Sequence, residues 1–450
     1  MNESVKALHE NLAKGYFLYG SSLTSCVARV AWPSNDAVGV NTGFGGSADT
    51  RTTDLPALQR ALMQHTQSAV LPGTHDLETA DNRKRLSSHS MPTSWTKASM
   101  FVRCNANIRG HSAMSRSIVD AIIELLRRDI TPIVPLRGSI SASGDLMPLA
   151  YVAGAIQGSP DVLVRTRSAR GADTIMTAQK ALELINLTPI VLGPKEGLSL
   201  INGTAPSAAV ASLALHDAQQ LAVISQLWTA LASEALGANV EWAHPFVTQV
   251  RPHKGQIEAA QNIRLFLSGS KLTTGLETTK DRFKSGLVQD RYALRSSPQW
   301  LGPQLEDLES AASQLVVELN STSDNPLVDS VHKDIHCAAN FQAAVVTSAT
   351  EKTRACVQMI GKLIFSQTTE MINHDLSNGL PPNLSADDPS LSFCLKGEYR
   401  SSTHPESLVC EWPPAGGSDD RECGDPRSTT LAMYPNTFDV SNPVLIPLHP

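Results

Sequence analysis

Residues 221–237 read LAVISQLWTALASEALG. Leu221, Ile224, Trp228, Leu231 and Ala235 recur at alternating spacings of three and four, which lines one face of an α-helix and not one face of a strand. Thr204 and Pro206 stand upstream as cap and first-turn residues, and Gly237 follows as a stop. The same spacing recurs in Leu305, Leu308, Ala312, Leu315 and Leu319, and residues 341–372 are rich in Ala, Val, Met and Ile. These stripes read as packing surfaces without chemistry, on helices that bundle side by side. Strand alternation is scarce: ITPIVPLRG (130–138) is broken by Pro132 and Pro135 and predicts at most a brief extended segment. The expected fold is mainly α, an elongated bundle of long helices.

A chain of 450 residues, 41% hydrophobic and 18% charged, is large enough for two domains or one extended helical body. A net charge of -6 without a long basic run argues against nucleic acid or an anionic membrane as partner. The N-terminus has scattered charges and no apolar core of the kind a secretory signal needs, and no stretch of about 18 uncharged apolar residues predicts a membrane span. Seven cysteines, odd in number and without a CxxC pair, read as reduced thiols and not as a metal site, with the cytoplasm as the default compartment. From Gly397 onward eight of 54 residues are proline and no helical stripe survives, so 397–450 reads as an irregular tail.

Within GSISASGDLMPLAY (138–151), Ala142, Ser143 and Gly144 are three small residues between an apolar run and an Asp-Leu-Met-Pro step. A bare Ala-Ser-Gly is a common loop string. Its surroundings are more specific. GVNTGFGGSADTRT (39–52), MPTSWTKASMFVRCNANIRGHSA (91–113), GPKEGLSLINGTA (193–205), QDRYALRSSPQWLGP (289–303), NSTSDNPLVD (320–329) and IHCAANFQA (335–343) follow in order and spacing.

Together these segments resemble the aromatic amino acid ammonia-lyase and aminomutase family, and their wording is nearest to fungal phenylalanine ammonia-lyases. The resemblance implies a loop-rich N-terminal domain (1–200) carrying the prosthetic-group tripeptide, a central helical bundle (201–396), and a chain truncated at its C-terminus relative to the family. It implies that Ala142, Ser143 and Gly144 cyclise to a methylidene-imidazolone, with no external cofactor. The residue types suit that chemistry: the Gly144 nitrogen must reach the Ala142 carbonyl carbon unobstructed, and Ser143 can lose water. An electrophile is what ordinary side chains lack.

By the same resemblance Arg295 holds the substrate carboxylate through two parallel hydrogen bonds. Tyr292 acts in catalysis at the amino group or the electrophile, and Gln289 lies one helical step before it if the segment is helical. Asn202 and Asn325 match asparagines beside the prosthetic group, and Phe341 an aromatic packed near it. Asn-Gly and Asn-Pro are also turn dipeptides. Ala338 and Ala339 replace a more usual Gly-Gly and would crowd the site. His65, in LMQHTQSAVLP (62–72), falls at the ring-specificity position and would admit a para-hydroxyl. The implied reaction deaminates phenylalanine, and tyrosine as a further substrate, to an arylacrylate and ammonia. The implied assembly is a homotetramer with shared active sites.

Two departures stand against full activity. Val38 occupies the place of the family's loop tyrosine, the β-proton base, and valine cannot accept a proton. Nothing after Lys396 resembles the family's later helices. An active lyase, a catalytically impaired subunit mixed with an intact paralogue, and a break in the gene reading at these two points all remain open, as does an aminomutase.

Overall fold

The computed structural model describes residues 40–70, 86–141, 144–167, 173–274, 287, 289–329, 331–332, 334–385 and 388. Val38, Ala142, Ser143 and the 397–450 segment lie outside them.

In chain order the elements are α1 (Leu55–Thr66), α2 (Thr93–Asn107), α3 (Arg116–Arg127), β1 (Ile130–Pro132), α4 (Leu146–Ile156), β2 (Leu163–Arg167), β3 (Asp173–Thr177), α5 (Ala178–Leu184), α6 (Glu196–Ile201) and α7 (Ala205–Ala235). There follow α8 (Pro245–Gln249), α9 (Lys254–Phe266), α10 (Tyr292–Arg295), α11 (Ser297–Leu319), β4 (Leu327–Asp329), β5 (Asp334–His336) and α12 (Ala344–Ile372). Helix dominates, as the spacing predicts.

Described residues within 40–213 and 312–349 form one compact unit, and those within 214–311 and 350–388 a second. The stretch 201–396, expected as a single bundle domain, is thus shared between them.

In the first unit α4 is buried from Met147 to Ile156, as its unbroken apolar sequence requires of a central helix. Helix α3 turns Ile118, Val119, Ile122, Leu125 and Leu126 inward and keeps its charges outside. β1 is the brief extended segment anticipated at ITP, and it pairs antiparallel with β2, which pairs antiparallel with β3. The β2–β3 pair had no counterpart in the sequence reading. Helix α7 begins where anticipated: the Thr204 carbonyl accepts from Ala208 N at 2.8 Å. The Thr204 hydroxyl, however, donates to Glu318 and does not cap the helix. Gly237, at φ +64°, provides the stop.

The core of the second unit gathers Ala230, Leu236, Val240, Trp242, Ile263, Leu294 and Met371. Here one expectation holds only at Trp228, which packs against that core, and is reversed over most of the stripe. Leu221, Ile224 and Leu231 of the opening stripe are exposed at 41%, 54% and 51%, while Ala222, Ser225, Gln226, Thr229, Ala230 and Ser233 are buried. The small face wins because it allows close packing and carries its own satisfaction. Ser225 donates to Ala222 O at 2.8 Å, Thr229 to Ser225 O at 2.9 Å and Ser233 to Thr229 O at 2.7 Å. Of the α11 stripe, Leu308 and Leu315 are buried, and Leu305, Ala312 and Leu319 are half-buried. Among the described residues one helical stretch, within 196–235, is long and apolar enough to cross a membrane. Its apolar window is 89% buried, the mark of a core helix.

Candidate active site

The first unit assembles a cradle around Gly144. Gly144 has φ +90°, and a Cβ built on it would lie 2.5 Å from Asn202 Oδ1 and 3.7 Å from the Phe341 Cβ. Only glycine fits, by backbone and by space. The next residue is tied down: Asp145 N donates to Gly203 O at 2.9 Å, and Ser139 Oγ donates to the Asp145 carboxylate. Asn202 ends α6, and Gly203 follows at φ +142°, where a Cβ would meet Arg103 Nη1, Ser323 O and Ser323 Oγ, each at 2.6 Å. The two glycines therefore let segments 144–145 and 202–203 run against each other. This is the free backbone that ring closure at Gly144 needs, so the residues present fit a tripeptide-derived prosthetic group.

Beneath the cradle lies a buried polar layer whose residues no local motif singles out. Arg103 donates to Leu200 O at 3.0 Å, to Ser323 O at 2.8 Å and to Ser199 O. Burial pulls its guanidinium down to about 10, partly countered by Asp324, so it remains a cation near neutrality. Lys195 Nζ pairs with Asp324 Oδ2 at 2.7 Å, both side chains being 1% exposed. Ser112 Oγ donates to the same oxygen at 2.5 Å, and Asn202 Nδ2 to Asp324 Oδ1 at 3.4 Å.

The remaining expected residues of this unit divide. Phe341 is at the cradle. Asn325 spends its Oδ1 on Ala338 N at 2.7 Å, bracing the segment that leads to Phe341. Ala338 and Ala339 are exposed, so their methyl groups face solvent. His65 is exposed in the last turn of α1, while its neighbours Leu62, Met63 and Thr66 face inward.

The second unit holds a cavity of about 620 Å³ lined by Trp242, His244, Arg251, Gln289, Tyr292 and Arg295 among others. Tyr292 and Arg295, three apart in the single turn α10, share a face: the guanidinium carbon stands 5.1 Å from the ring centroid. Gln289 precedes that turn, outside the helix, and is exposed. Asp290, between them in sequence, is buried. It accepts from Asn239 N at 2.8 Å and Trp242 Nε1 at 2.7 Å. Burial pushes its carboxyl up, and these two hydrogen bonds oppose the rise.

A family model described as aromatic amino acid lyase matches residues 23–403. The chain belongs to the aromatic amino acid lyase family. Within it, the chain is 53% identical over 398 residues to a phenylalanine ammonia-lyase of Aspergillus hancockii, covering 88% of this chain and 53% of that protein. It is 51% identical over 397 residues to a phenylalanine aminomutase of Talaromyces islandicus, covering 88% and 52%. A crystal structure of phenylalanine ammonia-lyase from Rhodosporidium toruloides superposes with a TM-score of 0.77 at 38% identity, covering 92% of this chain and 61% of that one. The chain spans about half the length of the curated aromatic amino acid lyase relatives it matches.

Proposed function

We propose that the chain deaminates L-phenylalanine, with tyrosine as a further substrate, to the arylacrylate and ammonia, through a methylidene-imidazolone made from Ala142, Ser143 and Gly144. The observation that carries this reading is the Gly144 cradle, closed by Asn202 and Phe341, in a chain of this family. When formed, that group supplies an electrophile to a reaction whose leaving group is otherwise poor. The chain's own residues bind and orient. Arg295 offers a planar donor fork to the substrate carboxylate, and the Tyr292 ring beside it limits the rotamers the guanidinium can sample. The Tyr292 hydroxyl exchanges a proton with the amino group, and Gln289 holds the substrate by hydrogen bonding.

The 51% identity to an aminomutase favours one second reading, isomerisation to the β-amino acid on the same residues. The apolar side chains exposed on α7 support an assembly of several chains, for which we infer a homotetramer with shared active sites or a mixture with a fuller paralogue.

Purified protein incubated with phenylalanine tests these readings, with mass spectrometry of the peptide containing 142–144. Cinnamate absorbance supports the lyase, and β-phenylalanine the aminomutase. Water loss from the tripeptide without product identifies an impaired subunit. An intact tripeptide and no product would sink the proposal. Arg295→Lys in an active preparation should raise KM roughly tenfold or more, because the bidentate fork is lost.

A further inference from the structure

Asp324 is a buried carboxylate in the loop before β4, and a carboxylate paired with Lys195 has only acceptors to offer. The Asn202 carboxamide has one donor end and one acceptor end. Since Nδ2 faces Asp324 Oδ1, Oδ1 of Asn202 faces the other way, toward Gly144. Turning the amide over would set its carbonyl against the carboxylate in a buried site, losing a hydrogen bond to a charged group and adding a repulsion.

We propose that Asp324, held by Lys195 and Ser112, is a positioning residue that fixes the Asn202 amide so that a carbonyl oxygen, and no N–H, faces Gly144. The orientation itself stands on geometry; its chemical use rests on the function proposed above. An acceptor in that place takes an N–H partner, which is either the Gly144 amide before ring closure or the amino group of the substrate.

The test follows the side-chain NH2 of Asn202 in protein labelled with 15N at asparagine, its signal assigned by its absence in Asn202→Asp. Asn107 provides the internal reference, because it is buried in the same unit and its Nδ2 donates to Arg103 O at 2.9 Å and not to Asp324. Asp324→Ala should raise the exchange rate of Asn202 with deuterated solvent, relative to Asn107, about tenfold or more. If Asp324→Ala does not fold with Lys195 left unpaired, Lys195→Met combined with Asp324→Leu removes both charges together and carries the same expectation. An unchanged ratio overturns the proposal, and a merely structural loosening would move both asparagines alike.

In the same variants, collapse of water loss from residues 142–144 assigns the N–H to Gly144. Retained water loss with a raised KM for phenylalanine and an unchanged kcat assigns it to the substrate. If water loss and KM both stay at parent values, the positioning role is overturned whatever the exchange ratio does. If the parent shows neither water loss nor turnover, the function proposed above fails, and the exchange ratio still decides the orientation.

Discussion

Trp242 donates its indole Nε1–H to Asp290 Oδ2 at 2.7 Å, while Oδ1 of the same carboxylate accepts from the Asn239 backbone at 2.8 Å. The residue between Gln289 and the Tyr292–Arg295 turn is thereby anchored in the core of its unit. Trp242→Phe keeps an aromatic ring but removes the donor. We expect a loss of about 1–3 kcal/mol in urea denaturation, and a KM that rises more than kcat falls. The Asp290 carboxyl sits above its ordinary value, so the folded state binds its proton more readily than the unfolded chain does. Its contribution to stability therefore declines as pH rises from 3.8 through the raised folded value. Removing the Trp242 bond moves the upper edge of that window higher, which parent and variant denaturation curves at several pH values would show.

Gly203→Ala should be among the most damaging single changes to the cradle. It imposes φ +142° on a side-chain residue and drives a methyl group to 2.6 Å from Arg103 and Ser323. The strain and overpacking together cost about 2–5 kcal/mol. Gly269→Ala is the control: φ is +78° but nothing lies within 4 Å, so only the backbone cost of roughly 1 kcal/mol is expected. Equal denaturation midpoints for the two variants would contradict the crowding argument.

The β4–β5 turn carries an exposed pH-sensitive pair. His332 N donates to Asp329 Oδ1 at 3.0 Å, and the His332 ring meets Oδ2 at 2.7 Å. These bonds bring the Asp329 carboxyl down to about 2 and push the His332 imidazole up. The Asp329 contribution is present above its unfolded value of 3.8 and is lost as pH falls toward about 2. The His332 contribution is full below 6.5 and is lost as pH rises through the raised folded value. Asp329→Asn should return the His332 titration, followed by proton NMR, to the ordinary histidine range.

Ile224→Glu with Leu231→Glu should leave the fold of the second unit intact, because both side chains are more than half exposed. Stability should change by no more than about 0.5 kcal/mol. Sedimentation should show a lighter particle than the parent, since the charges fall on the surface inferred to meet other chains. A particle of unchanged mass would remove that surface from the assembly.

Much of the helical frame was legible because a spacing of three and four is a local property. Which face of a helix turns inward is not local. On α7 the large residues advertised a packing face, yet the Ser and Thr hydroxyls bond to their own helix and let the small face into the core. The strands β2 and β3 escaped notice because LVRTR and DTIMT are five residues each and lack a long alternation. At the site, Gly144, Asn202 and Phe341 do converge, as the motifs implied. Lys195 lies in GPKEGLSLINGTA and Asp324 in NSTSDNPLVD, and neither segment by itself points to the other. Their pairing spans 129 residues, and no local pattern reports a partner so distant.

Arg103 gathers carbonyls that lie 96, 97 and 220 residues away along the chain. A cradle closed by contacts of such separation cannot exist in a nascent or half-folded chain, because the entropy of closing those loops must be met first. The fold thus acts as a timer on the chemistry proposed for it: the methylidene-imidazolone, if it forms from residues 142–144, would do so only after the chain around Gly144 has finished folding. In chains folding for the first time during cell-free synthesis, water loss from residues 142–144, followed by mass spectrometry, should lag behind the gain of protease resistance.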